Sequence, residues 1–252
     1  VGAHYRLNVF LFFTMIASCG DENRRQEVVD DIRILGVKAD QSLFTTGSVG
    51  PSNLEIYALA PPGKTPVFSA ATDAEAIPSR NQVALVLSGS PTQTPLGDFV
   101  LYQQNASASL PASPLGLVPA NTNGDIVFRY AFNVAGGSSN LLGIGDLFWL
   151  ADASDPALAL AASTITIDSP KNAVEVRVGE DVNLSANVSG ASAEGVRISW
   201  FVAGGEVVNF RAAETTWKPD EADRGKSVPV LVAVRGLTTR SLDLKWVVVD
   251  VR

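Results

Sequence analysis

The side chains available for chemistry in this chain are mostly carboxylates and aromatics. The single histidine, His4, and the single cysteine, Cys19, both fall within the first twenty residues, as does the single methionine, Met15. From residue 20 onward, Ser-His-Asp and Cys-His catalysis have no members to draw on, and zinc or copper sites built on His or Cys are excluded. The usual haem and iron–sulfur ligands are missing there as well. Gly-x-Ser-x-Gly, Ser-x-x-Lys, Gly-x-x-x-x-Gly-Lys and Gly-x-Gly-x-x-Gly do not occur. Carboxylate chemistry, serine–lysine chemistry or no chemistry remains, and no cofactor is implied.

Three groups of residues stand as candidates. Asp220, Glu221 and Asp223 crowd one loop after Pro219, an oxygen cluster of the kind that holds Ca²⁺. Their spacing does not match an EF-hand, and Arg224 and Lys226 follow at once. A solvated, charge-balanced turn with no metal is the expectation. The pairs Asp30-Asp31 and Glu180-Asp181 would serve glycoside hydrolysis only if the fold brought two carboxylates together. Tyr102, Phe148, Trp149 and Phe201 would make a sugar- or partner-binding platform if they shared an exposed face. Asn183 and Asn187 open Asn-x-Ser triplets, to which no use is assigned.

Cys19 has a different context. His4 and Arg6 precede an apolar run from Leu7 to Ile16, broken by Asn8 and Thr14, and a hydrophilic stretch from Asp21 to Glu27 follows. Ten helical residues rise about 15 Å, half of the ~30 Å that spans a bilayer. That is the length of a signal-peptide core. The sequence Ile16-Ala17-Ser18-Cys19 resembles the lipobox of bacterial lipoproteins. The resemblance implies cleavage after residue 18 and a diacylglycerol on the Cys19 thiol. It also implies a bacterial cell-envelope location with the membrane as partner. Gly20, where an aspartate would favour the inner membrane, points to the outer membrane. The chain opens on Val1 rather than Met, as a non-standard start codon read literally or a clipped record would give.

The formal net charge is −7 over 252 residues. Residues 39–168 hold three basic and ten acidic side chains, whereas residues 169–252 hold eleven of each. An acidic first half does not suit nucleic acid, which is bound by neutralising phosphates with Lys and Arg. With no cysteine after Cys19 the fold has no disulfides, so apolar burial must stabilise it.

Hydrophobic alternation supplies the elements that would position these groups. Residues 19–30 read as a charged, flexible, lipidated tether. Residues 31–162 carry strand candidates around Ile32–Val37, Leu54–Ala60, Val83–Leu87, Phe99–Tyr102, Ile126–Phe132 and Leu147–Leu150, separated by stretches rich in Ser, Ala, Pro and Asn, especially 104–124. Asp155–Ala162 reads as a short connecting helix. Residues 163–252 alternate more cleanly, at Val182–Val188, Val196–Val202, Val228–Val234 and Leu242–Trp246. Parity blurs at Val247-Val248-Val249, which predicts a bulge or burial on both faces. The fold class expected is all-β, with two β-sandwich-like domains after a cleaved signal peptide and a short tether. No sequence repeat relates the two halves.

In the second half, Gly179-Glu180-Asp181-Val182, Ile198-Ser199-Trp200-Phe201, Thr216-Trp217-Lys218-Pro219 and Val230–Val234 resemble immunoglobulin-like and PKD-like modules of bacterial surface proteins. That resemblance implies a sandwich with Trp200 buried on its central strand and leaves function open. The function expected is a non-enzymatic, lipid-anchored binding or scaffold module with an unknown protein or glycan partner. The alternatives are a carboxylate-based envelope glycan hydrolase and a carbohydrate-binding module.

Overall fold

A computed structural model describes residues 29, 31–45, 50–71, 81–111, 124–138, 140–154, 164–189, 195–236 and 242–252. The expected signal peptide, Cys19 and the helix at 155–162 lie outside the described residues. Among the described residues sixteen strands are present: β1 Arg33–Ala39, β2 Leu43–Phe44, β3 Pro51–Ala60, β4 Val67–Ala71, β5 Leu85–Leu96, β6 Phe99–Ser109, β7 Ile126–Ala135 and β8 Leu141–Trp149, then β9 Thr164–Ser169, β10 Val174–Val176, β11 Val182–Ser189, β12 Val196–Val202, β13 Glu206–Val207, β14 Glu214–Lys218, β15 Ser227–Gly236 and β16 Leu242–Val251. The chain is all-β, built as β-sandwiches.

The first eight strands form sheets β1-β3-β6-β5 and β2-β8-β7-β4; the last eight form β9-β11-β14-β13 and β10-β16-β15-β12. Adding eight to each strand number converts the first pair of sheets into the second. The correspondence extends to direction, since β2–β8 and β10–β16 are the two parallel pairs. In each unit the first, third, sixth and fifth strands make one sheet and the fourth, seventh and eighth the other. That is the ABED and CFG arrangement of an immunoglobulin constant-type sandwich, with a short strand added in parallel beside the last. Topology is therefore duplicated where no sequence repeat is visible.

Each sandwich has its own core. Ile34, Phe44, Leu54, Ile56, Tyr102, Phe128, Phe132 and Leu147 fill the first, and Ile165, Leu184, Trp200, Trp217, Val230, Val232 and Val249 the second. Trp200 and Trp217 are fully buried, and each indole N–H has an acceptor, Ala212 O at 2.8 Å and Gly204 O at 2.9 Å. A buried indole without such a partner would lose the benefit of its burial.

Several strands exceed the sequence expectation. β6 runs to Ser109, into the stretch read as a loop, because Ala106 and Ala108 face the core while Asn105 and Ser107 face out. Gln104 is buried there, and its amide donates to Ser88 O, Gly89 O and Asn105 O at the bulge in β5. β8 starts at Leu141, since Gly143 and Gly145 weaken its apolar signal. A Cβ at Gly143 would lie 2.2 Å from the Phe132 ring, and one at Gly145 2.2 Å from the Tyr130 ring. The glycines let aromatic rings of β7 lie across β8.

A third apolar cluster joins the two sandwiches. Leu35, Leu59, Leu96, Phe99 and Leu101 of the first pack against Leu231, Ala233, Leu242 and Leu244 of the second. The outer face of β3 and β6 is apolar only where this seam covers it; further along it becomes Asn53, Glu55, Gln103 and Asn105. The seam also explains Val247–Val249. The β15–β16 register runs without a bulge, so burial on both faces is the cause: Val247 and Val249 face the core and Val248 the seam. Pro229 fits the same sheet, because its missing N–H points toward β12, which has already ended at Val202.

Candidate functional site

The acidic loop is a helix cap. Asp220 Oδ1 accepts from Ala222 N at 2.8 Å, and Asp223 Oδ2 accepts from Asp220 N at 2.9 Å, so the two residues form a reciprocal capping box around one 3₁₀ turn, Glu221–Asp223. Asp223 is 3 % exposed, whereas Asp220, Glu221, Arg224 and Lys226 are exposed, so the turn is solvated except at that carboxylate. Its carboxylate occupies the space beside Gly204, where a Cβ would collide with it. Burial pushes the Asp223 carboxyl above its ordinary value. Glu221 instead makes a two-pronged ion pair with Arg224, which holds its carboxyl low. Two of the three acids thus share the cap, and the third pairs with Arg224. Among the described residues no three His, Cys, Asp or Glu side chains gather as a metal site.

Asp31 is held by Ile32, Lys64 and Ser138. Oδ1 accepts from Ile32 N at 2.7 Å and from Lys64 Nζ at 2.7 Å; Oδ2 accepts from Ser138 N at 2.8 Å and from the Ser138 hydroxyl. Burial pushes this carboxyl up, but Lys64, Ser138 and Ile32 together outweigh it and hold it well below the usual carboxylate range. Asp31 thereby ties the start of β1 to the β3–β4 and β7–β8 turns. Its expected partner Asp30 lies outside the described residues. Glu180 and Asp181 are both exposed, and Glu180 accepts from Arg177 N at 3.1 Å.

The four aromatics do not share a face. Tyr102 is in the first core, and Trp149 packs against that core with its indole N–H buried and unpartnered among the described residues. Phe148 is half-buried on the opposite face of β8. Phe201 packs in the seam of the other sandwich, where alternation placed it opposite Trp200. A platform of Tyr102, Phe148, Trp149 and Phe201 does not form. Among the described residues the exposed large apolar side chains are Val67, Val86, Val208 and Trp246, of which Trp246 continues the seam row Leu242, Leu244.

Two features escaped the sequence reading. The first is Val29, which fell within the expected tether. It is 1 % exposed, packs in the seam, and donates its N–H to Val202 O at 2.9 Å. Its sequence signal was the pair Val28-Val29 at the end of a charged stretch. The second is an open groove of about 670 Å³ in the second sandwich. Ala186 and Val188 of β11 form one wall and Val196 and Ile198 of β12 the other, with Arg197, Arg211, Asp168 and Glu214 at the rim. β14 begins only at Glu214, so among the described residues β11 beyond Ala186 has no strand neighbour on that side.

No family model matches the chain, and no curated protein matches it. Among solved structures, fibronectin(III)-like modules of Clostridium thermocellum CbhA are 15% identical, with 86% of this chain and 94% of that one covered and a TM-score of 0.31. Tandem Ig repeats of Dlar are 10% identical, with 88% and 97% covered and a TM-score of 0.31. A nucleoside hydrolase-related hypothetical protein from Saccharophagus degradans, associated with carbohydrate metabolism, is 17% identical over 39% of this chain, with a TM-score of 0.34; only 28% of that protein is covered. Strand order and pairing within the chain itself define its class, a tandem of β-sandwiches with immunoglobulin-type connectivity.

Proposed function

We propose that this chain is a bacterial cell-envelope lipoprotein, anchored through a lipid on Cys19, whose two sandwiches act as a non-enzymatic binding or scaffold module. The observation that carries the reading is Ile16-Ala17-Ser18-Cys19 at the end of a ten-residue apolar run. The body fits that role, since sandwich tandems present rigid surfaces. Val29, which is clamped, lies ten positions after Cys19, so the body would hang at most about 35 Å from the lipid. Gly20 favours the outer membrane as its address. Of the candidate groups, Asp31 of the hydrolysis pairs and Asp220 and Asp223 of the acidic loop are engaged in structural hydrogen bonds, and Tyr102 and Phe201 in packing.

Labelled palmitate tests the anchor. The wild-type chain expressed in a bacterium should take up label and fractionate with the outer membrane, and Cys19→Ala should do neither. Equal labelling of both overturns the proposal, as would turnover of an envelope glycan abolished by one carboxylate substitution.

A further inference from the structure

The turn between β5 and β6 reaches out of the first sandwich and rests on the second. Gly97 holds φ at +61° there, and a Cβ on it would collide with the backbone carbonyl of Ser227, the first residue of β15. The next residue, Asp98, donates its N–H to Ser227 O at 3.2 Å. At the other end of the seam a Cβ on Gly36 of β1 would lie 2.6 Å from the Leu242 side chain, and Leu242 pairs with Arg235. Arg235 stands eight positions after Ser227 on β15, a distance of about 27 Å at the usual rise of a strand. A third point is Val29, which donates to Val202 O on β12. Two residues later Asp31 is held by Lys64 and Ser138 of the first sandwich. Between these points Leu59 of the first sandwich and Leu231 of the second are fully buried.

We propose that the Gly97-Asp98 turn is an interdomain lock which, with the contacts at Gly36 and Val29, holds the two sandwiches in a single orientation. Domains of one chain ordinarily move relative to each other unless a large apolar interface joins them. An apolar seam by itself resists separation more than sliding, because the hydrophobic effect has no direction. The contacts at Ser227, Leu242 and Val202 fall on three different strands, β15, β16 and β12, and not on one line. Together they fix both tilt and twist. Gly97 is the position on which the lock depends most. The Leu242 side chain can yield to a new neighbour by changing rotamer, whereas the Ser227 carbonyl is main chain and moves only with β15. The lock goes beyond the binding role proposed above and depends on neither the lipid nor the partner.

The test uses the full chain in detergent and reads residual dipolar couplings from β7 and β8 of the first sandwich and from β15 and β16 of the second. In the wild type one alignment tensor should fit all four strands, and the Asp98 amide should be protected from exchange. Gly97→Asn adds a Cβ while keeping a residue that tolerates positive φ. It should speed Asp98 exchange by about tenfold or more and split the tensor in two, with the chemical shifts of β7 and β11 unchanged. Gly89→Asn is the control. Gly89 also lies on β5, at φ +67°, with no atom within 4 Å of an added Cβ, so both readouts should stay at their wild-type values. Two tensors in the wild type, or an Asp98 amide that exchanges as fast as an open loop, would overturn the proposal without any variant. So would a Gly97→Asn chain that keeps one tensor and a protected Asp98, or a Gly89→Asn chain that loosens as much as Gly97→Asn.

Discussion

The N–H of Val29 donates to the carbonyl oxygen of Val202 at 2.9 Å, joining the residue that precedes the first sandwich to the last residue of a strand in the second. Val29 is also buried among Leu35, Leu231 and Phe201. Val29→Ala removes about two methylene equivalents from the seam and should cost about 1–2 kcal/mol. Limited proteolysis should then cut more readily next to residue 29, and thermal unfolding should move down.

Leu231 lies on the seam face of β15 and is fully buried. Leu231→Ala should destabilise by about 2–5 kcal/mol. Because the lost contacts lie between two separate cores, calorimetry of the variant should resolve two transitions further apart than in the wild type. Small-angle scattering of Leu231→Asp should show a larger radius of gyration.

Asp31 sets a pH dependence. Its folded pKa lies below the unfolded value of about 3.9. Its contribution to stability is therefore complete above that value and is lost as pH falls through and below it. Asp31→Asn should cost about 1–3 kcal/mol at pH 7, and denaturant titrations should show the gap from wild type closing below about pH 4. A gap constant from pH 7 to pH 3 would show that the charge is not what matters.

Trp217→Phe keeps an aromatic ring in the second core but leaves Gly204 O without its donor. The expected cost is about 1–3 kcal/mol, measured by urea unfolding. Calcium in the millimolar range should leave the Tm of the wild type unchanged, because Asp220, Glu221 and Asp223 are held in separate interactions.

Alternation made β11, β12 and β15 legible, because one face of each strand meets a core of Val, Leu and Trp. It also identified Trp200 as core and Phe201 as facing the other way. It failed where small residues do the packing: Ala106 and Ala108 in β6 and the glycines of β8 carry little apolar signal, yet all sit inside strands. Val67–Ala71 was passed over for the same reason. The seam was visible only as lost parity at Val247–Val249, since a contact between distant surfaces leaves no local period. The duplication was invisible because strand order survives sequence change that erases identity. The candidate acids were legible as a cluster, but their roles depended on where Gly204 and the backbone amides lay.

The clamp at Val29 has a mechanical meaning. A pull on any residue upstream meets the seam before it meets β1. The load enters at β12 of the second sandwich and, two residues later, at the Asp31 junction of the first, so both units resist together. Drag on the body would not peel the first sandwich open from its opening strand until the Val29–Val202 contact had given way.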